Sequence, residues 1–166
     1  MENGTAPAEI TEAIIRDNLD VVKTWLDTGG DPNALIISSQ GPILLLAAWY
    51  GRGSIIDLLL SRGADIDATD ADGRTAVYEL LNYWVTHGSL PALKMLLSHG
   101  ADVNLARKDR IGSILDGMSP LMCAASAGGP DLVRPLLRAG ADPEQRDGGN
   151  CTVEERARSD SFRERP

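Results

Sequence analysis

The amino-acid sequence predicts an all-α protein, a solenoid of stacked helix-turn-helix units with hairpin-like connecting loops. Two observations carry this prediction. First, a glycine ends an apolar, helix-like run four times, at spacings of 34, 37 and 40 residues: Gly29, Gly63, Gly100 and Gly140. Second, an aspartate follows two residues after each of these glycines, where its side chain can hold a tight turn. A recurrence at this period is typical of repeat proteins.

Each unit is predicted to hold two short antiparallel helices. A second glycine lies twelve residues before the closing one in three units, at Gly51, Gly88 and Gly128. In the first unit we expect Asn18 to take that place. Thr75 and Ser119, each followed by a small residue or proline, favour the start of a first helix. Because one such pair cannot bury its apolar face alone, neighbouring pairs must stack.

The units follow one another without a break in the predicted domain. We expect a flexible N-terminal lead over residues 1–8, one domain over residues 9–158 and a charged tail over residues 159–166. The five units within the domain are 9–34, 35–68, 69–105, 106–143 and 144–158. The first and last lack parts of the repeated pattern and are expected to cap the stack.

Two units are longer than the others. Extra residues within 82–87 would extend a first helix by about one turn, roughly 6 Å. Seven more lie in Arg107–Asp116, where an insertion between repeats would project from the rim as a finger. A loop on a rigid scaffold is a frequent place for function, but a surface insertion also costs little stability. Both interpretations stay open.

Three segments resemble the ankyrin-repeat family, whose repeat carries "DGxTPLHxAAxxG" and "LLxxGADVN". They read "DGRTAVYELL" at 72–81, "LLSHGADVN" at 96–104 and "DGMSPLMCAASAGG" at 116–129. The histidine of the family motif is replaced by Leu45, Tyr78 and Met122. The resemblance covers residues 9–158. It implies a protein-protein interaction module that binds a partner through its concave face and hairpin tips.

The resemblance also implies which residues touch the partner. The concave face of such proteins is built from the loop tips and from the first helices just after the paired alanines. By motif, these partner-binding positions are Trp49, Tyr50, Asp72, Arg74, Tyr83, Trp84, Lys108, Arg110, Met118 and Ser126. Four of the seven aromatic residues in the chain fall in this set, and large aromatic side chains are favoured in interfaces. Asn104 matches a position that is hydroxylated in some members of the family.

Charge limits the choice of partner. Residues 1–106 hold 6 basic and 14 acidic side chains, whereas residues 107–166 hold 10 of each, so the whole excess of −8 lies in the first two thirds. This argues against nucleic acid, which requires a concentrated positive field. It favours a basic or mixed-charge protein partner, although plain solubility explains it equally well.

The remaining expectations concern location and chemistry. The sequence has neither a membrane-spanning apolar run nor a signal peptide, so we expect a monomer in the cytoplasm or the nucleus. Its two cysteines, Cys123 and Cys151, are interpreted as idle thiols. No catalytic, cofactor-binding or metal-ligating pattern is found, so we predict that the protein is not an enzyme. The alternative is a small-molecule-binding or catalytic protein that uses an aromatic pocket beside residues 107–116.

Overall fold

A computed structural model describes residues 4–37, 41–81, 89–108, 116–126 and 130–160. These residues form nine helices: α1 (Ala8–Ile15), α2 (Leu19–Asp27), α3 (Ile43–Trp49), α4 (Gly53–Ser61), α5 (Ala76–Leu81), α6 (Ser89–Ser98), α7 (Pro120–Ser126), α8 (Pro130–Arg138) and α9 (Val153–Asp160). Within these ranges the β-pairing is limited to two isolated bridges, Thr5 with Leu35 and Leu35 with Pro42. The predicted all-α solenoid is confirmed.

The helices stack in two rows. The first helices of the units form one row, in which α1, α3, α5, α7 and α9 contact one another in order. The second helices α2, α4, α6 and α8 form the other row. Leu59 and Leu96, which the repeat pattern places at buried positions of second helices, are fully buried, as predicted. The core is therefore continuous along the stack, because each pair buries its apolar side chains against the next.

The turn between the two helices of a unit requires a left-handed residue. Gly51 fills this position in the second unit with φ 65°, and Asp17 fills it in the first with φ 59°. The expectation that Asn18 takes this place is therefore wrong by one residue. Asn18 instead caps α2, since its side-chain oxygen accepts a hydrogen bond from the N–H of Val21 at 3.3 Å. Asparagine and aspartate tolerate positive φ and also cap helices well, so the sequence alone does not separate the two roles.

Within the predicted N-terminal lead of residues 1–8, the segment from Gly4 onward makes backbone hydrogen bonds to a loop. The N–H of Ala6 donates to the carbonyl of Leu35 at 2.8 Å, and the N–H of Leu35 donates to the carbonyl of Gly4 at 2.7 Å. Ala6 is buried, and α1 begins at Ala8. The segment from Gly4 onward is thus part of the first unit, because backbone pairing with the next loop holds it.

Asparagine side chains connect consecutive loops. The side-chain N–H of Asn104 donates to the carbonyl of Gly140 at 3.1 Å, and its oxygen accepts from the N–H of Asp142 at 2.8 Å. Asn33 makes the same two bonds two units earlier, to Gly63 and Asp65. A single amide thereby satisfies a donor and an acceptor of the next loop, which a carboxylate cannot do.

In the second unit, which lies between the units of Asn33 and Asn104, the equivalent position is occupied by an aspartate. Asp67 accepts a hydrogen bond from the N–H of Asp102 at 3.0 Å. Its side chain has no N–H group to donate to the carbonyl of Gly100, the counterpart of Gly63 and Gly140. The junction between the second and third units therefore lacks one of the two bonds that the asparagines make.

The last helix is attached by a buried ion pair and a capping box. The side chain of Asp147 is fully buried, contacts Arg156 of α9 and accepts N–H groups of Gly149 and Cys151, each at 2.9 Å. At the start of α9, the N–H of Thr152 donates to the carboxylate of Glu155, and the N–H of Glu155 donates to the Thr152 hydroxyl. These hydrogen bonds lower the pKa of Glu155. A helix with little apolar surface is thus held by polar contacts.

Replacing Asp67 by asparagine should stabilise the protein. The amide would gain the second bond, to the carbonyl of Gly100, and we expect the free energy of unfolding to rise by about 0.5–1.5 kcal/mol. Urea unfolding followed by circular dichroism measures it. The matched control is Asn104→Asp, which should lower the free energy of unfolding by a similar amount. A loss of stability in Asp67→Asn would contradict the proposed geometry.

Acid should weaken the attachment of α9. Burial alone raises the pKa of Asp147, but the hydrogen bond from Cys151 and the contacts with Arg156 outweigh it, so the pKa lies below its ordinary value of 3.8. A lowered native pKa contributes stability above the unfolded value, and that contribution is lost as pH falls through the native value. We expect wild type to be more stable than Asp147→Asn at about pH 7, and this difference to shrink as the pH falls below about 4. Urea unfolding at each pH checks this, and a constant difference would be the contrary outcome.

Candidate functional site

A cleft of about 200 Å³ lies beside the end of α3. Its walls are apolar and aromatic side chains at one end and charged side chains at the other. The lining residues are Ile36, Gly41, Leu45, Leu46, Trp49, Tyr50, Asp70, Arg74 and Glu79. The cleft is therefore formed by α3, the loop before it, the hairpin loop before α5 and α5 itself.

The charged end of the cleft is a cluster centred on Arg74. Its guanidinium lies 2.7 Å from a carboxylate oxygen of Asp70, 3.0 Å from one of Glu79 and 3.3 Å from one of Asp72. The side chains of Asp70 and Glu79 are 5% and 6% exposed, whereas that of Asp72 is 40% exposed. Three carboxylates thus contact the same guanidinium.

The turn of the hairpin holds Asp70 and Arg74 in place. One oxygen of Asp70 accepts the N–H groups of Asp72 and Arg74, at 2.9 and 3.0 Å. The N–H of Asp70 in turn donates to the carbonyl of Arg74 at 3.1 Å. This closes a tight turn, so Arg74 leaves the hairpin in a defined direction, toward α5.

Glu79 was not among the residues predicted from the sequence. It lies in α5 at the position that Leu46 occupies in α3 and Cys123 occupies in α7. Aligning the sequences of the units with one another would have shown this carboxylate at a position that is apolar in the neighbouring units. Burying a carboxylate costs stability, and the contact with Arg74 offsets part of that cost.

The structure brings three of the predicted partner-binding residues to this cleft. Trp49 and Tyr50 line one wall, the first half-buried and the second 38% exposed, and Arg74 lies at the charged end. Asp72 joins them through its contact with Arg74. Tyr83, Trp84 and Arg110 lie outside the described residues, so the predicted four-residue aromatic patch is described only in its first half.

The other predicted positions lie further along the stack. Lys108 is exposed and Ser126 is half-buried at the end of α7. Met118 is only 8% exposed and belongs to the core. We therefore leave Met118 out of the proposed surface, because its side chain faces the stack at the base of the finger instead of solvent.

The base of the Arg107–Asp116 insertion is a short hairpin. The N–H of Arg107 donates to the carbonyl of Met118 at 3.1 Å. The N–H of Gly117 donates to the carbonyl of Arg107 at 2.8 Å. The N–H of Lys108 also donates to the carbonyl of Asp72 at 3.1 Å. This contact is close, since a Cβ on Gly73 would lie 2.9 Å from the nitrogen of Lys108. The insertion thus begins next to the charged end of the cleft. Residues 109–115, which were predicted to project as a finger, lie outside the described residues.

The two buried side chains that could in principle act as nucleophiles are the Cys123 thiol and the Tyr78 hydroxyl. Burial raises the pKa of the Cys123 thiol to about 12, and burial likewise raises the pKa of Tyr78 above its ordinary value. Both groups stay protonated and neutral near neutral pH, so neither serves as a base or nucleophile. In the part of the chain that the structure describes, no three His, Cys, Asp or Glu side chains form a group that could hold a metal ion.

The described helices include none that combines the length and the apolar character needed to cross a membrane.

Comparison with known proteins places the chain in a family. A model of ankyrin repeats in three copies matches residues 10–107 and 44–147. The chain is 41% identical over 117 residues to the mouse B-cell lymphoma 3 protein homolog, a match that covers 69% of this chain and 24% of that protein. The protein belongs to the ankyrin-repeat family. Repeats of this family are generally protein-interaction modules.

Two further relatives are similar over a larger share of this chain. The chicken nuclear factor NF-kappa-B p105 subunit is 29% identical over an alignment of 175 residues, which covers 86% of this chain and 17% of the relative. Ankyrin repeat protein nuc-2 of Neurospora crassa is 32% identical over 135 residues, which covers 81% of this chain and 12% of the relative. The chain spans a quarter or less of these three curated relatives.

Removing the guanidinium at the charged end should expose the cost of burying Glu79. We expect Arg74→Ala to lower the free energy of unfolding by roughly 2–4 kcal/mol, because Glu79 and Asp70 would lose their shared cation. The double variant Arg74→Ala/Glu79→Leu should recover part of this loss. Thermal or urea unfolding of Arg74→Ala, Glu79→Leu and the double variant gives the coupling energy between Arg74 and Glu79. Additive effects would show that the pair is not coupled.

Proposed function

We propose that this protein binds a protein partner through a concave face centred on the cleft, with Trp49, Tyr50 and Arg74 in direct contact. The observation that carries the proposal is the combination of two aromatic side chains with a charged cluster in one open cleft. Aromatic side chains and arginine are enriched at the energetic centres of interfaces. A preformed face also loses little entropy on binding.

The neighbouring loop extends this face with apolar surface. Ile36 lines the cleft, and Ile37 beside it is 69% exposed. On the opposite side, Lys108 stands exposed at the base of the finger. An apolar centre with charged groups around it is the usual arrangement of a protein interface. Ser126 lies two units away from Tyr50 and would belong to the edge of such a face.

A small-molecule-binding or catalytic role receives less support. The cleft is smaller than the roughly 300–1,000 Å³ of ordinary ligand pockets. Its carboxylates contact Arg74, and the buried Cys123 thiol is protonated. We therefore propose a role without catalysis.

The partner is proposed to be basic or mixed in charge, because the excess of acidic residues lies in the part of the chain that contains the cleft. Two free cysteines, one of them buried, are consistent with a reducing compartment such as the cytoplasm or the nucleus.

Site-specific photo-crosslinking tests the proposal. A photoreactive phenylalanine analogue at position 50 should give a discrete protein adduct in cells that make this protein. The same analogue at position 137, which is also exposed but lies in α8, is the matched control and should give none. Equal adducts at both positions, or none at position 50, would contradict binding through this face.

Alanine substitutions then measure the contribution of the wall. With the partner identified by crosslinking, Trp49→Ala should weaken binding by roughly 2 kcal/mol or more. Tyr50→Ala should weaken it as well while leaving thermal stability nearly unchanged, because that side chain is exposed. Lys23→Ala in α2, an exposed site away from the cleft, should leave the affinity within a factor of about two. Unfolding caused by Tyr50→Ala would mean that the residue is structural.

A further inference from the structure

We infer that a groove at the N-terminal end of the stack binds a basic amphipathic helix of a protein partner. The groove lies between α1 and α2 and has a volume of about 370 Å³. It shares no lining residue with the cleft beside α3, so the inference adds a second surface to the proposed function. Its apolar lining residues are Pro7, Ile10, Val21 and Trp25, and its acidic ones are Glu9 and Asp20.

The groove corresponds to the side of each later unit that the preceding unit covers. Val21 and Trp25 lie eight and four residues before the closing glycine of the first unit, and both are half-buried. An internal unit has a neighbouring unit on this side, and that neighbour buries the corresponding positions. In the second and third units these positions hold fully buried side chains: Ile55 and Leu59 in α4, and Ala92 and Leu96 in α6.

Inside the stack, a helix packs on this side of a unit. The second helices contact one another in order, α2 with α4 and α4 with α6. Ridges of side chains on one helix enter the grooves of the next in such contacts. The groove of the first unit has the same helical walls, so a helix with one apolar side fits it, in the manner of other helix-in-groove interfaces.

The ring of Trp25 is held in place by the loop that follows α2. Gly30 stands where the other loops have Ala64, Ala101 and Ala141, and a Cβ on Gly30 would lie 2.4 Å from two atoms of the Trp25 ring. The ring therefore packs directly against the glycine backbone. Leucine fills the corresponding helix positions of the other units, so tryptophan and glycine together give this groove an aromatic wall that the repeat does not require. Such a wall is favoured at the centre of an interface.

The acidic residues of the groove favour a basic partner. Glu9 holds the position of Ile43 in α3 and of Ala76 in α5, which are both fully buried. Glu9 and Asp20 are exposed, and neither makes an ion pair with any residue that the structure describes. A lysine or arginine beside the apolar side of an incoming helix would be attracted to both carboxylates. The groove thus selects the sign of the charge on the partner.

The two basic side chains of the first unit are directed elsewhere. Arg16 forms an ion pair with Glu12 at 2.5 Å. Lys23 holds the position that Asp57 has in α4, and Asp57 contacts His99 of the following unit at 3.0 Å. This position therefore faces the next unit and not the groove, so a cation for the groove has to come from the partner.

A second copy of this chain suits the groove less well. Two such grooves placed face to face would bring their carboxylates together, which is unfavourable. A second copy that continued the stack beyond α8 would place its own α1 in the space of α9. That space is filled, because α9 packs against α7 as the first helix of the last unit.

Peptide titrations on the full chain test the inference. The probe is the amphipathic helical peptide acetyl-LKKLLKLLKKLLKL-amide, and its acidic counterpart carries glutamate in place of every lysine. We expect the basic peptide to shift the indole N–H signal of Trp25 in nuclear magnetic resonance spectra until saturation. Calorimetry should give an affinity at least about tenfold greater than for the acidic peptide.

Variants separate the groove from general attraction between a basic peptide and an acidic protein. Trp25→Leu, which restores the residue of the other units, should weaken binding about tenfold or more. Glu9→Lys, at an exposed site, should weaken it at least as much and serves if Trp25→Leu unfolds. Asp20→Asn should weaken binding about threefold or more. Its matched control is Asp131→Asn, the corresponding exposed carboxylate of α8, which should leave the affinity within about twofold.

Several results would overturn the inference. They are equal binding of the two peptides, a Trp25 signal that stays in place at saturation, and equal losses in Asp20→Asn and Asp131→Asn. A dimer of the free chain in light scattering that Trp25→Leu abolishes would assign the groove to a second copy. Deletion of residues 1–3 that moves the Trp25 signal as the peptide does would assign it to the start of the chain itself.

The proposed function stands or falls separately. Tyr50→Ala should leave the affinity for the basic peptide within about twofold, because the cleft and the groove are different surfaces. A loss in Tyr50→Ala as large as that in Trp25→Leu would show that the peptide binds through the cleft, and the groove would then be wrong while the proposed face remains. Absence of a crosslink at position 50 removes the proposed face and leaves the groove unaffected.

Discussion

The structure depends on burial between units. A pair of helices of six to ten residues has an apolar side but no interior of its own, so each pair becomes stable only against its neighbours. Leu59, Leu93 and Leu96 are fully buried for this reason, in second helices that contact one another in sequence. The loops must then meet at the same spacing as the helices. The bonds made by Asn33 and Asn104 fix that spacing, since each connects one loop to the next.

This constraint leaves the face that bears the loops free for function. Stacking uses the apolar sides of the helices, whereas the loop tips and the ends of the first helices are not required for it. The cleft lies in this second region, and Glu79 of its charged cluster occupies the position that Leu46 and Cys123 occupy in α3 and α7. Arg74 links the hairpin to α5 at the same place. A buried ionic contact thus lies beside the aromatic wall, and departures from an apolar core are frequent at functional sites.

Much of the fold was predictable because the repeat itself carries the information. Four closing glycines at a nearly constant period predicted the helical pairs, and the structure confirms them. The differences between the predicted and the observed fold are local. Asp17, not Asn18, takes the left-handed position, because two adjacent residues with similar turn preferences differ only in their backbone environment. Residues 4–7 pair with Leu35 through backbone atoms, which leave no mark in the sequence of side chains.

The candidate site was predicted only in part. By itself the sequence determined the family, the two-helix units, the buried leucines and the choice of Trp49, Tyr50 and Arg74, because each follows from a position within a repeated motif. Only the tertiary structure decided that Arg74 meets Glu79, that Met118 turns into the core and that the base of the finger contacts Asp72. Those contacts join residues of different loops and helices. Their geometry depends on how far each side chain reaches across the stack, a distance that the order of residues along the chain does not specify.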